Sequence, residues 1–361
     1  MTNRINFEKD NYIIKELGEG SYGNVYASIP KPLADQILAE RAQSSDPLAT
    51  QTALTQLRAS VEAAKISKGG ISFGRKLNCI AEVDVLQTLE AGAHPNIVRL
   101  RTADPSSSHG WFTLEPLAGK TFLEFLHHFD GANNSPPTTT RPPPPPQVSL
   151  GWHILFQLAE AFLALHFGYK GQGFLPGSSK RRTFAHSDLS MSNIMFRPRG
   201  IYRDYPDVVL VDLGNVVEFT SEDEGGIPSP SSSSSRRIAL QSRDVLAAVR
   251  ILTSIFNRTG NIPLRNTLER HIFSTSTGNG KTSNFQTSAE YLQYLIDMRD
   301  EAFRERERLY EPLAEDLVWY FEADQEIVSD AWLGRCFPVL AQGRRVSPRQ
   351  EALRVRRGLG L

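Results

Sequence analysis

Residues 186–195 read HSDLSMSNIM, and residues 209–214 read VLVDLG. The two stretches supply two carboxylates and one side-chain amide, on Asp188, Asp212 and Asn193. The sequence that precedes these stretches indicates which fold would bring the three side chains together.

A glycine-containing turn lies near the start of the chain, where residues 18–25 read GEGSYGNV. It joins two apolar runs, Tyr12–Leu17 and Asn24–Ile29, that predict a hairpin of two strands. A dinucleotide-binding turn is disfavoured, because that turn opens a helix whereas this one continues as a strand. Residues without a Cβ let backbone N–H groups approach a polyphosphate closely, and here they are Gly18, Gly20 and Gly23.

The segments after the hairpin predict another strand and a helix. Val61–Ser67 is a predicted strand that carries Lys65. Apolar residues at helical spacing predict an amphipathic helix over Arg75–Ala91, which carries Glu82. Residues 93–100 then read AHPNIVRL. Because two more short strands are expected, this part is predicted to be a small sheet with one helix; those strands are Ile97–Leu100 and Trp111–Glu115.

The later part of the chain is predicted to be helical. Leu150–Phe167 and Asp244–Phe256 are apolar nearly all round, as in helices that are buried on most sides. Thr287 is followed three residues later by Glu290, which is the pattern of a capping box. This pair predicts the start of a charged helix that runs through about Leu309.

Three insertions interrupt the pattern. Residues 131–147 and 222–237 are rich in Pro, Ser and Gly and are predicted to be disordered, because they bury too little apolar surface. The first of them is equally interpreted as an interdomain linker, since a proline run is a semi-rigid spacer. A third insertion, at about residues 31–59, has leucines at helical spacing and is predicted to be ordered.

Taken in order, six features resemble those of the eukaryotic protein kinases over about residues 11–256. They are the glycine turn, the strand lysine, the helix glutamate, and the HPNIVRL, HSDLSMSN and VDLG runs. The resemblance implies an α+β, bilobal fold: a small antiparallel-sheet N-lobe with one helix, a larger and mainly helical C-lobe, and the nucleotide between them. It places the N-lobe at 11–117, the C-lobe at 118–340 and a basic tail at 341–361.

The resemblance also implies an enzyme that transfers the γ-phosphoryl group of ATP to a protein hydroxyl. Asp188 would accept or align the hydroxyl proton, and Asn193 and Asp212 would hold Mg²⁺. Lys65 would contact the α- and β-phosphates and would be oriented by an ion pair with Glu82. ATP and Mg²⁺ are therefore the expected cofactors.

Further residues are assigned by the same resemblance to the nucleotide and to the catalytic loop. The glycine turn would cover the phosphates. Asp244 resembles the aspartate that opens the central C-lobe helix and anchors the backbone of the catalytic loop. The backbone groups that face the purine would belong to Glu115 and Leu117. The apolar side chains around the adenine would be Leu17, Val25, Ala63 and Met195.

Two serines depart from the family pattern. Ser187 stands where regulated kinases have an arginine that pairs with a phosphorylated activation loop, so switching by that route is not expected. Ser190 stands where Ser/Thr kinases have a lysine near the γ-phosphate, and losing one such donor costs about 10²–10³ in rate. The HSDLSMSN run lacks the Ala/Arg pattern of tyrosine kinases, which favours Ser/Thr specificity. An ATP-binding pseudokinase scaffold and a small-molecule phosphotransferase are the alternatives.

Charge and cysteine content narrow the expected partners. The chain has 40 Lys+Arg and 40 Asp+Glu, so no net field favours a nucleic acid or an anionic membrane as partner. Cys79 and Cys336 are isolated, which disfavours a zinc site or a disulfide framework. A cytoplasmic or nuclear protein is expected. The proline run at residues 142–146 suits an SH3/WW-type partner, whereas the protein substrate is not indicated.

Overall fold

A computed structural model describes most of the chain. The described residues form an α+β structure in which a five-stranded antiparallel sheet accompanies a mainly helical remainder, and this confirms the predicted fold class at that level. The proline run at 142–146 and the residues after 343 lie outside the described residues. The structure describes residues 2–20, 23–68, 73–90, 94–105, 110–134, 147–170, 173–174, 182–198, 205–219, 233–256, 262–275, 285, 287–322 and 327–343.

The first part of the chain mixes strands and helices. Its elements are α1 (Thr2–Asp10), β1 (Asn11–Glu19), β2 (Gly23–Pro30), α2 (Lys31–Gln43), α3 (Ala49–Ala59), β3 (Glu62–Ser67), α4 (Phe73–Glu90), β4 (Leu100–Ala103) and β5 (Trp111–Leu114). The predicted hairpin is β1 with β2, the insertion expected to be ordered contains α2 and α3, and α4 is the predicted amphipathic helix. The sheet order is β1-β2-β3-β5-β4.

Two expectations for this part were wrong. Besides α4 and the two helices of the insertion, the first part contains α1, which the sequence did not predict. The strand expected at Ile97–Leu100 begins only at Leu100, because the preceding backbone pairs elsewhere. Val98 N–H donates to the Leu210 carbonyl over 3.0 Å, and the Asn96 carbonyl accepts from Leu210 N–H over 2.9 Å.

The later part is dominated by helices. Its elements are α5 (Phe122–Asn134), α6 (Val148–Phe167), β6 (Tyr169–Lys170), β7 (Gly173–Phe174), β8 (Thr183–Ala185), β9 (Ile194–Arg197), β10 (Asp207–Leu210), β11 (Val217–Phe219), α7 (Ser233–Phe256), α8 (Ile262–Thr275), α9 (Ser288–Arg308), α10 (Glu315–Glu322) and α11 (Asp330–Cys336). Short 3₁₀ turns occur at Met191–Asn193, Leu213–Asn215 and Pro338–Gly343. Thr287 caps α9 with the predicted capping box, since Glu290 N–H donates to Thr287 Oγ1 over 3.1 Å.

Helices extend into both insertions that were predicted to be disordered. α5 runs to Asn134, inside the range 131–147, and α7 starts at Ser233, inside 222–237. Adding turns to an existing helix is easier than nucleating a new one, which offsets the poor composition. Arg237 is buried on the first turns of α7, with its guanidinium 5.9 Å from the Phe167 ring centre. The earlier start also places Asp244 inside α7 and not at its N-terminus.

The chain divides into two compact units. We use the name sheet unit for Met1–Ile71, Asp104–Pro116 and Glu326–Leu361, and the name helical unit for Ser72–Ala103 and Leu117–Gln325. This division differs from the predicted boundaries at 117 and 340. It groups α4 and β4 with the helical unit, and it groups the segment after residue 325 with the sheet unit.

Two apolar clusters hold the sheet unit together. Phe7 of α1 packs with Tyr26, Ala64 and Ile66 on one face of the strands. The second cluster joins β1, β2, α2 and α3 to the C-terminal segment and buries Ile14, Ala27, Ile29, Ala34, Ile37, Ala53, Leu54, Leu57, Val61, Val328, Leu333, Phe337 and Leu340. Residues separated by about 320 positions in the sequence therefore share one core.

The helical unit is built around α6. This helix contacts α7, α8 and α9, and its residues are buried almost without exception. By length and composition α6 is the one helix among the described residues that could cross a membrane, and 89% of its most apolar window is buried inside the protein. That burial is the pattern of a core helix. Gly168, with a φ of 62°, ends the helix in the left-handed conformation that glycine favours.

Candidate active site

One face of the sheet carries three of the predicted nucleotide-binding residues. In the antiparallel register, Val25 on β2 lies opposite Lys65 on β3. Residues directly opposite each other project to the same side of a sheet, and so do residues two apart on one strand. Ala63, two residues before Lys65, therefore shares this face with both. The register thus brings these three side chains together within the sheet unit.

Lys65 is buried on this face, with 8% of its surface exposed. Its Nζ lies 5.9 Å from the ring centre of Phe112, the residue opposite it on β5. Lysine is almost never buried in proteins unless its charge is paired. Lys65 therefore places a positive charge at a buried position of the sheet.

The three glycines of the glycine turn have different surroundings. A Cβ on Gly23 would lie 2.6 Å from the Ile66 carbonyl oxygen, so the strand pairing itself excludes a side chain there. A Cβ on Gly18 would meet nothing within 4 Å, and one on Gly20 would lie 3.6 Å from the Gly23 carbonyl oxygen. The fold therefore requires Gly23 alone. At Gly18 and Gly20 the missing Cβ leaves the backbone open to a ligand.

The remaining predicted adenine contacts are divided between the two units. Leu17 is 39% exposed beside the glycine turn, and Glu115 is half-buried just before the chain leaves the sheet unit after Pro116. Leu117 and Met195 belong to the helical unit, where Met195 lies opposite Val209. The assembly of an adenine pocket from these residues stays a prediction.

In the helical unit, two asparagines hold the backbone and side chain of Asp188. Asn193 Nδ2 donates to the Asp188 carbonyl oxygen over 2.9 Å, and Asn215 Nδ2 donates to Asp188 Oδ2 over 2.8 Å. Carbonyl and carboxylate oxygens only accept hydrogen bonds, so both amides turn their nitrogen toward Asp188. The Asn193 side-chain oxygen is then left as an acceptor or a metal ligand.

The loop that contains Asp212 is hydrogen-bonded to the loop that contains Asp188. Val211 N–H donates to the Asn193 carbonyl over 3.0 Å. The Val211 carbonyl accepts from His186 Nε2 over 3.1 Å. The structure therefore places Asp188, Asn193 and Asp212 on two adjoining loops, although they lie up to 24 positions apart in the sequence.

Both loops hold a residue in a strained backbone conformation. Among the described residues, the non-glycine residues with positive φ are Ser187, at 63°, and Asp212, at 59°. Such conformations cost about 1–3 kcal/mol each and are kept where the surrounding structure determines them. One strained residue immediately precedes Asp188 and the other is Asp212 itself. Strain therefore lies at the predicted metal ligand Asp212 and at the residue before the predicted catalytic Asp188.

Asp244 holds the backbone that immediately precedes Asp188. Its carboxylate accepts from the backbone N–H groups of His186, over 2.6 Å, and Ser187, over 2.8 Å. This is the anchoring contact that the resemblance implied. Because Asp244 is 2% exposed and lies within α7, its position is set by the core of the helical unit.

A buried polar cluster, absent from the sequence-based assignment, supports Asp244. His166 Nε2 lies 3.1 Å from Asp244 Oδ2, and His166 Nδ1 lies 3.0 Å from the Tyr291 hydroxyl. Tyr291 donates to the Gln241 carbonyl over 2.9 Å. Burial lowers the pKa of His166 against the opposing effect of Asp244, and burial raises the pKa of Tyr291. The local sequence signal for this cluster is His166, one of two histidines on the largely apolar α6.

Glu82 lies on α4 and is 1% exposed. Within the helical unit, α4 packs against the 3₁₀ turn Leu213–Asn215 that follows Asp212. Lys65 belongs to the sheet unit, so its predicted ion pair with Glu82 stays a prediction.

Arg182 ties α4 to β11 on the same side of the helical unit. It donates to Thr88 Oγ1 over 2.8 Å and to Glu218 Oε2 over 2.6 Å, and it also forms an ion pair with Asp84. These bonds raise the pKa of Arg182. Arg182 has no local signal in the sequence, because its partners lie 36 to 98 positions away.

Comparison of the chain with protein-family models and with curated proteins finds no match. No group of three His, Cys, Asp or Glu side chains suited to a metal ion occurs among the described residues. The candidate metal ligands are instead one carboxylate and one amide, on Asp212 and Asn193.

Proposed function

We propose that the protein is an enzyme of the protein-kinase type with a bilobal kinase fold. In this proposal it transfers the γ-phosphoryl group of ATP to a Ser or Thr hydroxyl of a protein. The observation that carries the proposal is the pair of hydrogen-bonded loops that present Asp188, Asn193 and Asp212. Strain held at Ser187 and Asp212 supports it, because strained backbone clusters at active sites.

The side chains on these loops fit Mg²⁺. Asp212 would supply a carboxylate oxygen, and Asn193 would supply the amide oxygen left over by its bond to the Asp188 backbone. Two protein ligands leave the other positions to phosphate oxygens and water, which is how Mg²⁺ usually binds in phosphoryl-transfer enzymes. When bound, the ion would neutralise charge on the phosphates of ATP.

The sheet unit supplies side chains that suit the nucleotide. Gly18 and Gly20 leave the backbone open to phosphate oxygens, and Lys65 provides a buried positive charge. Val25 and Ala63 provide apolar surface on the same face. We assign these five residues to ATP binding.

Asp188 is assigned as the residue that takes the proton of the acceptor hydroxyl. As the hydroxyl oxygen forms its bond to the γ-phosphorus, the O–H proton passes to an Asp188 carboxylate oxygen. The bond between the γ-phosphorus and the oxygen that bridges to the β-phosphate breaks, and ADP leaves with that electron pair. Proton and electron pair are then both accounted for, without a redox partner.

Ser190 favours a second candidate, an ATP-binding scaffold that does not transfer phosphate. The Ser190 hydroxyl lies 2.9 Å from the Ser192 hydroxyl. This part of the loop therefore presents hydroxyl groups at the position where the Ser/Thr kinases that the chain resembles have a lysine. The absent cation lowers the expected rate by about 10²–10³. A slow kinase and a scaffold are separated by measuring transfer directly.

The proposal is tested with ATP labelled at the γ-phosphate, Mg²⁺ and a mixture of generic acceptor proteins. Wild type should transfer label to Ser or Thr, and Asp188→Asn should abolish transfer. In parallel, a hundredfold excess of Mg-ATP over Kd should stabilise wild type by about 2.7 kcal/mol. Stabilisation without transfer would favour the scaffold, whereas transfer that survives Asp188→Asn would come from a contaminant. If Mg-ATP does not stabilise wild type and no label is transferred, both candidates are refuted.

A further inference from the structure

The bond from Asn215 to Asp188 lies outside the six features that suggested a kinase. Asn215 immediately follows the VDLG run, in the 3₁₀ turn Leu213–Asn215. Its amide nitrogen reaches Asp188 Oδ2, 2.8 Å away and 27 positions earlier in the sequence. Among the described residues, Asn215 supplies the side-chain hydrogen bond that the Asp188 carboxylate accepts.

We infer that Asn215 is the positioning residue of Asp188, an inference that rests on the proposed function. A carboxylate on an exposed loop rotates freely unless a donor holds one of its oxygens. Asn215 holds Oδ2, which leaves Oδ1 to receive the acceptor proton. The donor comes from the loop that carries Asp212, so the bond also couples the proton acceptor to the candidate metal ligand.

The nature of the donor matters because Ser190 supplies no cation near Asp188. An amide is neutral, so it orients the carboxylate without neutralising its charge. Asp188 is the exposed side chain of this pair, and Asn215 is half-buried. Removing the amide should therefore affect the reaction more than the stability of the fold.

The experiment compares Asn215→Ala and Asn215→Asp with wild type and with Asn266→Ala, a control at an exposed asparagine on α8. Both Asn215 variants should lower kcat about 10–100-fold while the KM for ATP and the melting temperature stay unchanged. Asn215→Asp has the shape of asparagine but replaces the donor with an acceptor. A space-filling role would let Asn215→Asp retain wild-type kcat, and that result overturns the inference.

Asn215→Gln gives a further readout, because it restores an amide donor on a longer side chain. It should recover part of the kcat lost in Asn215→Ala. If Asn215→Ala and Asn215→Gln both keep the wild-type kcat, the inference is also overturned.

A measurement that does not depend on turnover separates this inference from the proposed function. In protein labelled with ¹⁵N-asparagine, the Asn215 side-chain amide signal is assigned by its loss in Asn215→Ala. That signal should shift in Asp188→Ala and stay in place in Asp10→Ala, a control at an exposed aspartate on α1. An Asn215 amide signal that does not shift in Asp188→Ala overturns the inference. A shifted signal in a protein that transfers no phosphate supports the contact and removes the kinase proposal.

Discussion

The fold requires a glycine at Gly23, whereas at Gly18 and Gly20 the missing Cβ leaves the backbone open. Gly23→Ala places a methyl group 2.6 Å from the Ile66 carbonyl oxygen, and we expect it to destabilise the protein by about 1–3 kcal/mol. Gly20→Ala meets only an ordinary contact, so its stability should stay within about 1 kcal/mol of wild type.

Denaturant unfolding and ATP titration of the two variants check this contrast. Gly20→Ala should weaken Mg-ATP binding without loss of stability, because its methyl group stands where phosphate oxygens are proposed to approach. Unchanged ATP affinity in Gly20→Ala would contradict the role assigned to the glycine turn.

Asp212 combines a strained backbone with a side chain proposed to bind metal. Asn tolerates the left-handed conformation, so Asp212→Asn should unfold at the same denaturant concentration as wild type. Asp212→Ala should be less stable than Asp212→Asn by about 1–2 kcal/mol, because alanine does not favour positive φ. Both variants should lose the stabilisation by Mg-ATP. Retention of that stabilisation in Asp212→Asn would remove Asp212 from the metal site.

His153 makes the stability of the helical unit depend on pH. Burial lowers the pKa of His153 from its ordinary value of 6.5 to about 3. The hydrogen bond that Nε2 donates to the Pro206 carbonyl, over 3.0 Å, opposes this shift. Below pH 6.5 the unfolded chain binds a proton at this histidine and the folded protein does not. The free energy of unfolding should therefore fall as the pH drops from 6.5 toward 3, by about 1.4 kcal/mol per pH unit for this group.

His153→Gln removes this titration and should flatten the pH dependence by that amount. Denaturant unfolding at several pH values between 4 and 7 measures it, with exposed His127→Gln as the matched control. An identical slope in wild type and His153→Gln would show that His153 is protonated in the folded protein as readily as in the unfolded chain.

At the scale of elements, Arg182 joins α4 to β11 through side chains that are partly exposed. Ion pairs of this kind contribute at most about 1 kcal/mol, so Arg182→Gln should lower the global unfolding free energy only slightly. Its effect should appear locally, as faster amide hydrogen exchange in α4 and β11. High salt should speed the same amides in wild type, because it screens the ion pairs.

The control for this prediction is Arg250→Gln, at an exposed position on α7. Exchange in α4 that is equally slow in Arg182→Gln and Arg250→Gln would mean that packing against the Leu213–Asn215 turn holds the helix without the arginine.

At the scale of the molecule, the two ends of the described chain belong to the same unit. Phe337 is 4% exposed and packs edge-on against Tyr12, with ring centres 5.2 Å apart. Phe337→Ala should therefore destabilise the protein by about 3–5 kcal/mol. Trp332→Ala, at a 36% exposed aromatic on the same segment, should cost much less. Thermal unfolding of both variants measures the difference, and equal losses would contradict the assignment of this segment to the core.

Local pattern in the sequence was sufficient for several elements. The period of apolar residues predicted α4 and α6, the Thr287–Glu290 pair predicted the start of α9, and the glycine turn predicted the hairpin of β1 and β2. These features depend on residues within one or two turns of each other, so the chain needs no distant partner to specify them.

Low-complexity composition misled the prediction at α7. Residues from Ser233 onward are helical because they extend a helix whose later turns are buried in the helical unit. The same extension moved Asp244 away from the helix start, although its hydrogen bonds to His186 and Ser187 remained as expected.

By itself, the sequence determined the α+β class, the strands around the glycine turn and the presence of Asp188, Asn193 and Asp212 on segments of recognisable pattern. Tertiary structure alone decided that Asn215 bonds to Asp188, that His166 and Tyr291 support Asp244, and that residues after 326 complete the core of the sheet unit. The reason is physical: helix periodicity and capping are short-range interactions, whereas these contacts join residues 27 to about 320 positions apart. Such contacts form only after the chain has packed, and no local pattern specifies them.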